Sequence, residues 1–240
     1  MSKHSKFRNI MHRKEAQDLK KVRVFTRISR EIIVAVALAG SDPHYNPRLR
    51  NAITNAKKIN LPKDRVEYAI KRGGNKIDET LYKEIRYEGY GPGGVGIMIE
   101  TLTDNKNRTV SEIRRCFSAY CSDVSAQGGV SYLFDKVVTV IYQIPESLQY
   151  YFFSKVVELD VLDFKKVSEG YSIICYLRRF SQITNALLTE FGKSMCYKVE
   201  WRARSLIKLE SPQYERSLKL IEDLDLLVDA QYVNHNLQTK

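Results

Sequence analysis

The chain has 240 residues, 43% hydrophobic and 28% charged, a globular balance that excludes a disordered polymer and leaves room for one large domain or two to three small ones. Its longest apolar run, Ile32 to Ala39, is too short to span a bilayer, and no signal-peptide core follows the first residues, so a soluble cytoplasmic protein with no membrane partner is expected. The formal net charge of +11 lies entirely in one third of the chain: residues 1–80 hold 19 Lys and Arg against 8 Asp and Glu, whereas residues 81–240 hold 20 of each.

A cationic module on a neutral body is the footprint of a protein that binds a polyanion, and a solvated basic face is the plainer alternative. The segment begins Lys3-His4-Ser5-Lys6-Phe7-Arg8-Asn9-Ile10-Met11-His12-Arg13-Lys14, interleaving cations with hydroxyl and amide donors around one aromatic. Lys20, Lys21, Arg23, Arg27 and Arg30 continue the positive stretch. Such side chains gain affinity by releasing counterions from phosphate, so Lys3, His4, Ser5, Lys6, Arg8, His12, Arg13, Lys14, Lys20, Lys21, Arg23 and Arg27 are the candidate nucleic-acid contacts. Phe7 either stacks on a base or docks the segment on the protein.

Helices are expected at Lys14 to Lys20 and at Phe25 to Ala39, the second with Phe25, Ile28, Ile32, Ala35, Val36 and Ala39 at helical spacing. Gly40 stops it. Asn46-Pro47 caps and opens the next helix, and Pro62 opens another that ends at Gly73-Gly74. Residues 1–75 therefore read as a small basic helical domain, followed by a polar linker. The helix from Lys63 to Arg72 presents cations suited to phosphates more than to base edges, which argues against a helix-turn-helix reader.

From Leu81 the period becomes that of strands. Gly89-Tyr90-Gly91-Pro92-Gly93-Gly94 lacks the Lys-Ser/Thr ending of a phosphate loop and leads into the β-branched run Val95 to Leu102, so it reads as a hairpin connection between strands at about 84–90 and 95–102. Thr103-Asp104-Asn105-Lys106-Asn107-Arg108-Thr109 then precedes a helix, with Thr109 and Glu112 at capping-box spacing. With Lys106 and Arg108 beside a helix start, this segment is either a phosphate-holding loop or a well-capped turn. These two segments are the candidate functional loops.

Farther on, a strand at about 137–143, a helix at 146–158, strands at 162–167 and 171–177, a helix at 181–191 and a strand at 197–209 give the βαββαβ order of a ferredoxin-like unit. A helix from Ser211 to Leu224 and a strand within Leu226 to Val233 would complete the shorter ββαβ unit before it. The expected fold is α+β, an N-terminal helical bundle followed by two ferredoxin-like α/β domains, with residues 136–209 inserted into a domain of 81–135 plus 210–240.

Catalytic chemistry is not evident. The four histidines do not converge, no HExxH, His-Cys cluster or GxSxG occurs, and Cys116, Cys121, Cys175 and Cys196 lack CxxC spacing. No enzyme, cofactor, metal or small-molecule substrate is expected, and the cysteines read as free thiols in a reducing compartment.

The motifs HSKFRNIMHRKEAQDLKK, FTRISREI, DPHYNPRLRNAI, LPKDRVEYAIKRG, YEGYGPGGVGIMIETLTDNKNRT and DAQYVNHN resemble the YebC/PmpR family, whose mitochondrial relative is a translational activator of cytochrome c oxidase. The likeness is dense over residues 2–134 and thin beyond. It implies three domains with the third inserted, a cytoplasmic location, and one of two roles: a DNA-binding transcriptional regulator, or a ribosome-associated, rRNA-binding translation factor acting at difficult stretches such as consecutive prolines. The family's basic motif falls on Lys3, His4, Ser5, Lys6, His12, Arg13 and Lys14, and its start at the second residue favours a bacterial-type protein without a transit peptide. Three departures stand out: Phe7 where the family usually has Trp, Cys121-Ser122-Asp123 in place of a Gly-Gly turn, and Glu158 to Asp163 in place of a Gly-Ala-Glu-Asp-like turn. Any function residing in residues 136–209 is thereby open.

Overall fold

A computed structural model describes the backbone of residues 3–75, 82–168 and 170–239, and over those stretches the side chains of residue 18 and of residues from 21 onward. Its first element, α1 (Lys3–Ala39), is one continuous helix of 37 residues, about 55 Å long at 1.5 Å per residue. The two helices expected here are thus one. No Gly or Pro falls between Lys3 and Ala39, and the β-branched Val22 and Val24 lower helix propensity without breaking a helix. Gly40, at φ +85°, ends it.

α2 (Pro47–Lys58) and α3 (Lys63–Gly74) pack on the C-terminal third of α1. Asn46 fixes the corner. Its Oδ1 accepts the Leu49 N–H at 2.9 Å, capping α2, while its Nδ2 donates to the carbonyls of Ala35 and Gly40 at 2.7 and 2.8 Å. The cap therefore serves two helix ends at once, using every polar atom of a fully buried side chain. Ile32, Ile33, Ala35 and Val36 meet Leu49, Ala52, Ala56 and Ala69 in the bundle core. Gly73 lets α3 approach closely, since a Cβ there would lie 2.6 Å from the Ile33 carbonyl oxygen.

Beyond the bundle lie two four-stranded antiparallel sheets. The first, in the order β3-β1-β2-β8, contains β1 (Lys83–Tyr90), β2 (Gly96–Thr103), β3 (Asp123–Ser125) and β8 (Ala230–His235). β1 and β2 pair in a hairpin register from Lys83 opposite Thr103 to Tyr90 opposite Gly96. Helices α4 (Lys106–Ala119) and α7 (Gln213–Asp225) cover one face, burying Ile113, Phe117, Leu220 and Leu224 against Tyr87, Ile97 and Ile99. The opposite face of β2 is also buried, Met98 meeting Val130, Phe134 and the Trp201 ring, which explains why β2 reads as a continuous apolar run rather than an alternating one.

The second sheet, in the order β5-β6-β4-β7, is built from β4 (Phe134–Tyr142), β5 (Asp163–Val167), β6 (Gly170–Tyr176) and β7 (Cys196–Ala203), with α5 (Gln149–Val157) and α6 (Phe180–Phe191) on one face. This is the ferredoxin-like arrangement, and all its strands lie in sequence between β3 and α7. The first sheet shares the layout of four antiparallel strands under two helices, while its two central strands are joined directly by the hairpin. β7 stops at Ala203, short of the expected 209; the chain then turns so that Ile207 bridges Leu237 beside the first sheet.

Candidate nucleic-acid interface

Of the candidate contacts on α1, the side chains of Lys3, His4, Ser5, Lys6, Arg8, His12, Arg13, Lys14 and Lys20 lie outside the described residues. Among the rest, Lys21 is exposed with its ammonium 5.5 Å from the Phe25 ring centre, and Arg23 is half-buried. Arg27 is occupied. Its guanidinium donates to both the backbone carbonyl and, at 3.1 Å, the carboxylate of Asp225 at the end of α7. Arg30, one turn on, is buried and donates to Asp229 Oδ1 at 2.8 Å and to the carbonyls of Leu102 and Val228 at 3.1 and 2.8 Å. The C-terminal half of α1 is thus bolted to the first sheet by arginines.

Asp229 is the centre of this junction. It is 1% exposed and receives Arg30, Arg108 at 2.9 Å, the Thr109 hydroxyl at 2.6 Å and the Thr103 hydroxyl at 3.2 Å. Burial pushes its carboxyl up, but the hydrogen bonds from Thr109 and Arg108 and the charge of Arg30 outweigh that and hold it below the usual carboxylate range.

The segment from Thr103 to Thr109 is built around the same carboxylate. Asn105, not Thr109, caps α4: its Oδ1 accepts the Arg108 N–H at 3.0 Å. The capping box expected on Thr109 and Glu112 is therefore absent, because Asn105 reaches the helix start first and Thr109 turns inward to Asp229. Asp104 accepts from Arg108 at 2.7 Å, so the Arg108 guanidinium is shared between two carboxylates and its pKa is raised by both. Lys106 and Asn107 are exposed on the first turn. Lys106 presents its ammonium to solvent without an ion-pair partner among the described residues, whereas Arg108, itself partly exposed, is held by two carboxylates.

The glycine segment is a hairpin connection, as its residues imply. Gly91 N–H donates to Val95 O at 2.8 Å, and Pro92–Gly94 form a 3-10 turn with Gly93 at φ +69° and Gly94 at φ +77°. Ser217 of α7 donates to Pro92 O at 2.8 Å, and the Tyr90 hydroxyl reaches Gly129 O at 2.8 Å and the Tyr132 hydroxyl at 3.0 Å. Gly89 lies under Phe117, where a Cβ would be 2.6 Å from Cε1 of that ring. The two candidate loops sit at opposite ends of β2, about 24 Å apart for eight strand residues. They do not form one site.

Residues missed in the sequence include Asp229, which stands inside the apolar run Leu226-Leu227-Val228-Asp229-Ala230; a carboxylate so placed is a sign of a buried, partnered charge. Tyr68 carries no local sequence signal of a site. On α3 it is 67% exposed, with Arg65, Lys71 and Arg72 three or four residues away on the same helical surface.

A long N-terminal helix whose base is locked by a buried ion pair to the first of two antiparallel sheets defines a three-part α+β protein. The chain belongs to the TACO1/YebC family: residues 5–76 match the model of the TACO1/YebC N-terminal domain and residues 82–237 that of its second and third domains. A probable transcriptional regulatory protein of Wolbachia pipientis (subspecies Culex pipiens) is 40% identical over 98% of this chain and 97% of its own length. One from Anaplasma phagocytophilum is 39% identical over 99% and 100%. The crystal structure of a conserved hypothetical protein from Aquifex aeolicus superposes with a TM-score of 0.74 at 32% identity, covering 91% of this chain and 90% of that one. Among the described residues no helix is long and apolar enough to cross a membrane.

Proposed function

We propose that the protein is a non-enzymatic, nucleic-acid-binding regulator that works in the cytoplasm on transcription, the regulation named in the descriptions of its relatives, and that it holds phosphates with the cations of α1. The observation carrying this reading is the charge distribution, with the whole +11 confined to the first 80 residues. Phosphate neutralisation is the dominant sequence-independent source of affinity for nucleic acid, and α1 strings Lys3, Lys6, Arg8, Arg13, Lys14, Lys20 and Lys21 along one helix. His4, Ser5 and His12 add polar donors to the same segment. Arg27 and Arg30 hold the helix in place.

A second reading, binding of RNA on the ribosome with a role in translation, is favoured by Tyr68. An exposed aromatic among cations is a stacking platform for an unpaired base, which duplex DNA does not offer.

Sedimentation of cell lysate through sucrose, with and without ribonuclease and across a salt series, tests both. Residence at the top of the gradient together with recovery of discrete DNA fragments after crosslinking supports transcriptional regulation. Comigration with ribosomes that is lost on RNA digestion replaces it with the translational role.

A further inference from the structure

A cleft of about 570 Å³ opens where α1 and α2, the first sheet and β7 of the second sheet meet, within the range of about 300–1,000 Å³ usual for small-ligand sites. Two polar atoms of its lining are buried without a partner: Nε2 of Gln231 on β8, a residue 9% exposed, and Oδ1 of Asn51 on α2. Both residues line the cleft, and the protein leaves an amide donor of one and an amide acceptor of the other unmet.

The surrounding charges are unevenly used. Arg48 is consumed by Glu31, at 2.7 Å, and by Glu84. Across the cleft, Arg86 and Lys136 lie over the Trp201 ring at 4.8 and 5.4 Å, and the Trp201 N–H donates to Glu100 at 3.1 Å. Lys136 has no ion-pair partner among the described residues, and Arg86 has one long pair, with Glu88 at 4.0 Å, while Glu100 stands opposite it on β2. One wall therefore offers cations able to turn to an incoming anion.

We infer that this cleft binds one nucleotide of a single-stranded nucleic acid, the amides of Asn51 and Gln231 pairing with the base edge and Arg86 and Lys136 holding its phosphate. Amide side chains match the adjacent donor and acceptor of a base edge, and cations match phosphate oxygens. An unpaired strand supplies a base free to enter. The inference rests on the nucleic-acid reading above and adds a site apart from the cations of the N-terminal half of α1.

Trp201, the one tryptophan of the chain, reports on the cleft. The full-length protein is titrated with each ribonucleoside 5′-monophosphate while its fluorescence, corrected against free tryptophan, is followed. A saturable change is expected for at least one base, with affinity falling about tenfold, the value of one hydrogen bond of about 1.4 kcal/mol, in Gln231→Leu and in Asn51→Leu. Gln231→Leu removes an unmet donor, so its melting temperature should not fall, and a binding loss in that variant is not a folding loss. Lys136→Ala, at an exposed position, should weaken binding and its salt dependence. Failure of all four mononucleotides to bind, while long RNA or DNA still binds with salt-dependent affinity, overturns the cleft and leaves the role of α1 standing. Failure of both overturns both. Undiminished nucleotide binding in the Asn51 and Gln231 variants, or saturation by a short peptide in place of nucleotides, also overturns the assignment.

Discussion

Arg30 and Asp229 are separated by 199 residues in the chain and meet at 2.8 Å in a buried ion pair. Asp229 also takes Arg108, so one carboxylate ties the helical bundle, the start of α4 and the entry to β8 together. Replacing it with Asn leaves two guanidinium groups facing a neutral amide. Asp229→Asn is expected to lose about 3–5 kcal/mol of stability at neutral pH, the range for breaking a buried pair, read by urea unfolding. The folded carboxyl titrates below its unfolded value, which is about 3.9. The stabilisation is therefore complete above that value and is lost as pH falls through the folded one. The gap between wild type and Asp229→Asn should close at acid pH; a gap constant with pH would show that the loss comes from shape and not from charge.

Gly89 separates packing from ligand binding in the glycine segment. A methyl group there meets Phe117 Cε1 at 2.6 Å and the Asp123 carbonyl oxygen at 2.7 Å, and overpacking of this kind costs about 1–3 kcal/mol. Gly89→Ala should unfold at lower urea concentration while the folded protein binds nucleic acid as tightly as wild type. Loss of affinity with stability intact would return the segment to the list of contact sites.

The short helices were legible because their ends carry local chemistry: Asn46-Pro47 and Pro62 mark starts that need only neighbouring residues to act. The βαββαβ order of the second sheet was legible for the same reason, each element having its own period and punctuation. The sequence suggests two pieces for α1 because Lys21 to Val24 carries no apolar periodicity, although nothing in it stops a helix. Thr109 was read as a cap because its spacing from Glu112 is right; Asn105, four residues earlier, wins the role, and Asp229, 120 residues away, recruits the threonine. The ion junction and the cleft were hidden for a shared reason. Their partners lie on elements far apart in sequence, and no local pattern in Arg30, Asn51 or Gln231 names the residue that will face it.

Tyr68 distinguishes an unpaired strand from a duplex. Base stacking on an aromatic is worth about 1–3 kcal/mol per base, so Tyr68→Ala should weaken binding of a single-stranded oligonucleotide roughly tenfold and leave duplex DNA affinity unchanged. Anisotropy titrations with the two ligands at one salt concentration make the comparison. Equal losses on both would assign Tyr68 to the support of α3 instead.

Lys106 and Arg108 sit two residues apart and should behave in opposite ways. Lys106 is exposed on the first turn of α4 with no carboxylate in bridging distance among the described residues, whereas Arg108 is divided between Asp104 and Asp229. Removing Lys106 leaves the contacts of the junction intact, so Lys106→Ala should melt with the wild type, within about 0.5 kcal/mol as is usual for surface changes. If the loop end touches phosphate, that variant lowers the slope of log affinity against log salt by about 0.9 on duplex DNA or about 0.7 on a single strand. Arg108→Ala leaves Asp229 short of one charged donor and should cost about 1–3 kcal/mol with little change in slope, because its charge is already neutralised by protein. Measuring the melting temperature and the salt slope for both variants assigns one residue to the interface and the other to the junction beneath it. A slope change in Arg108→Ala matching that of Lys106→Ala would mean that nucleic acid competes with Asp104 for the guanidinium, and that the ion junction opens when the ligand binds.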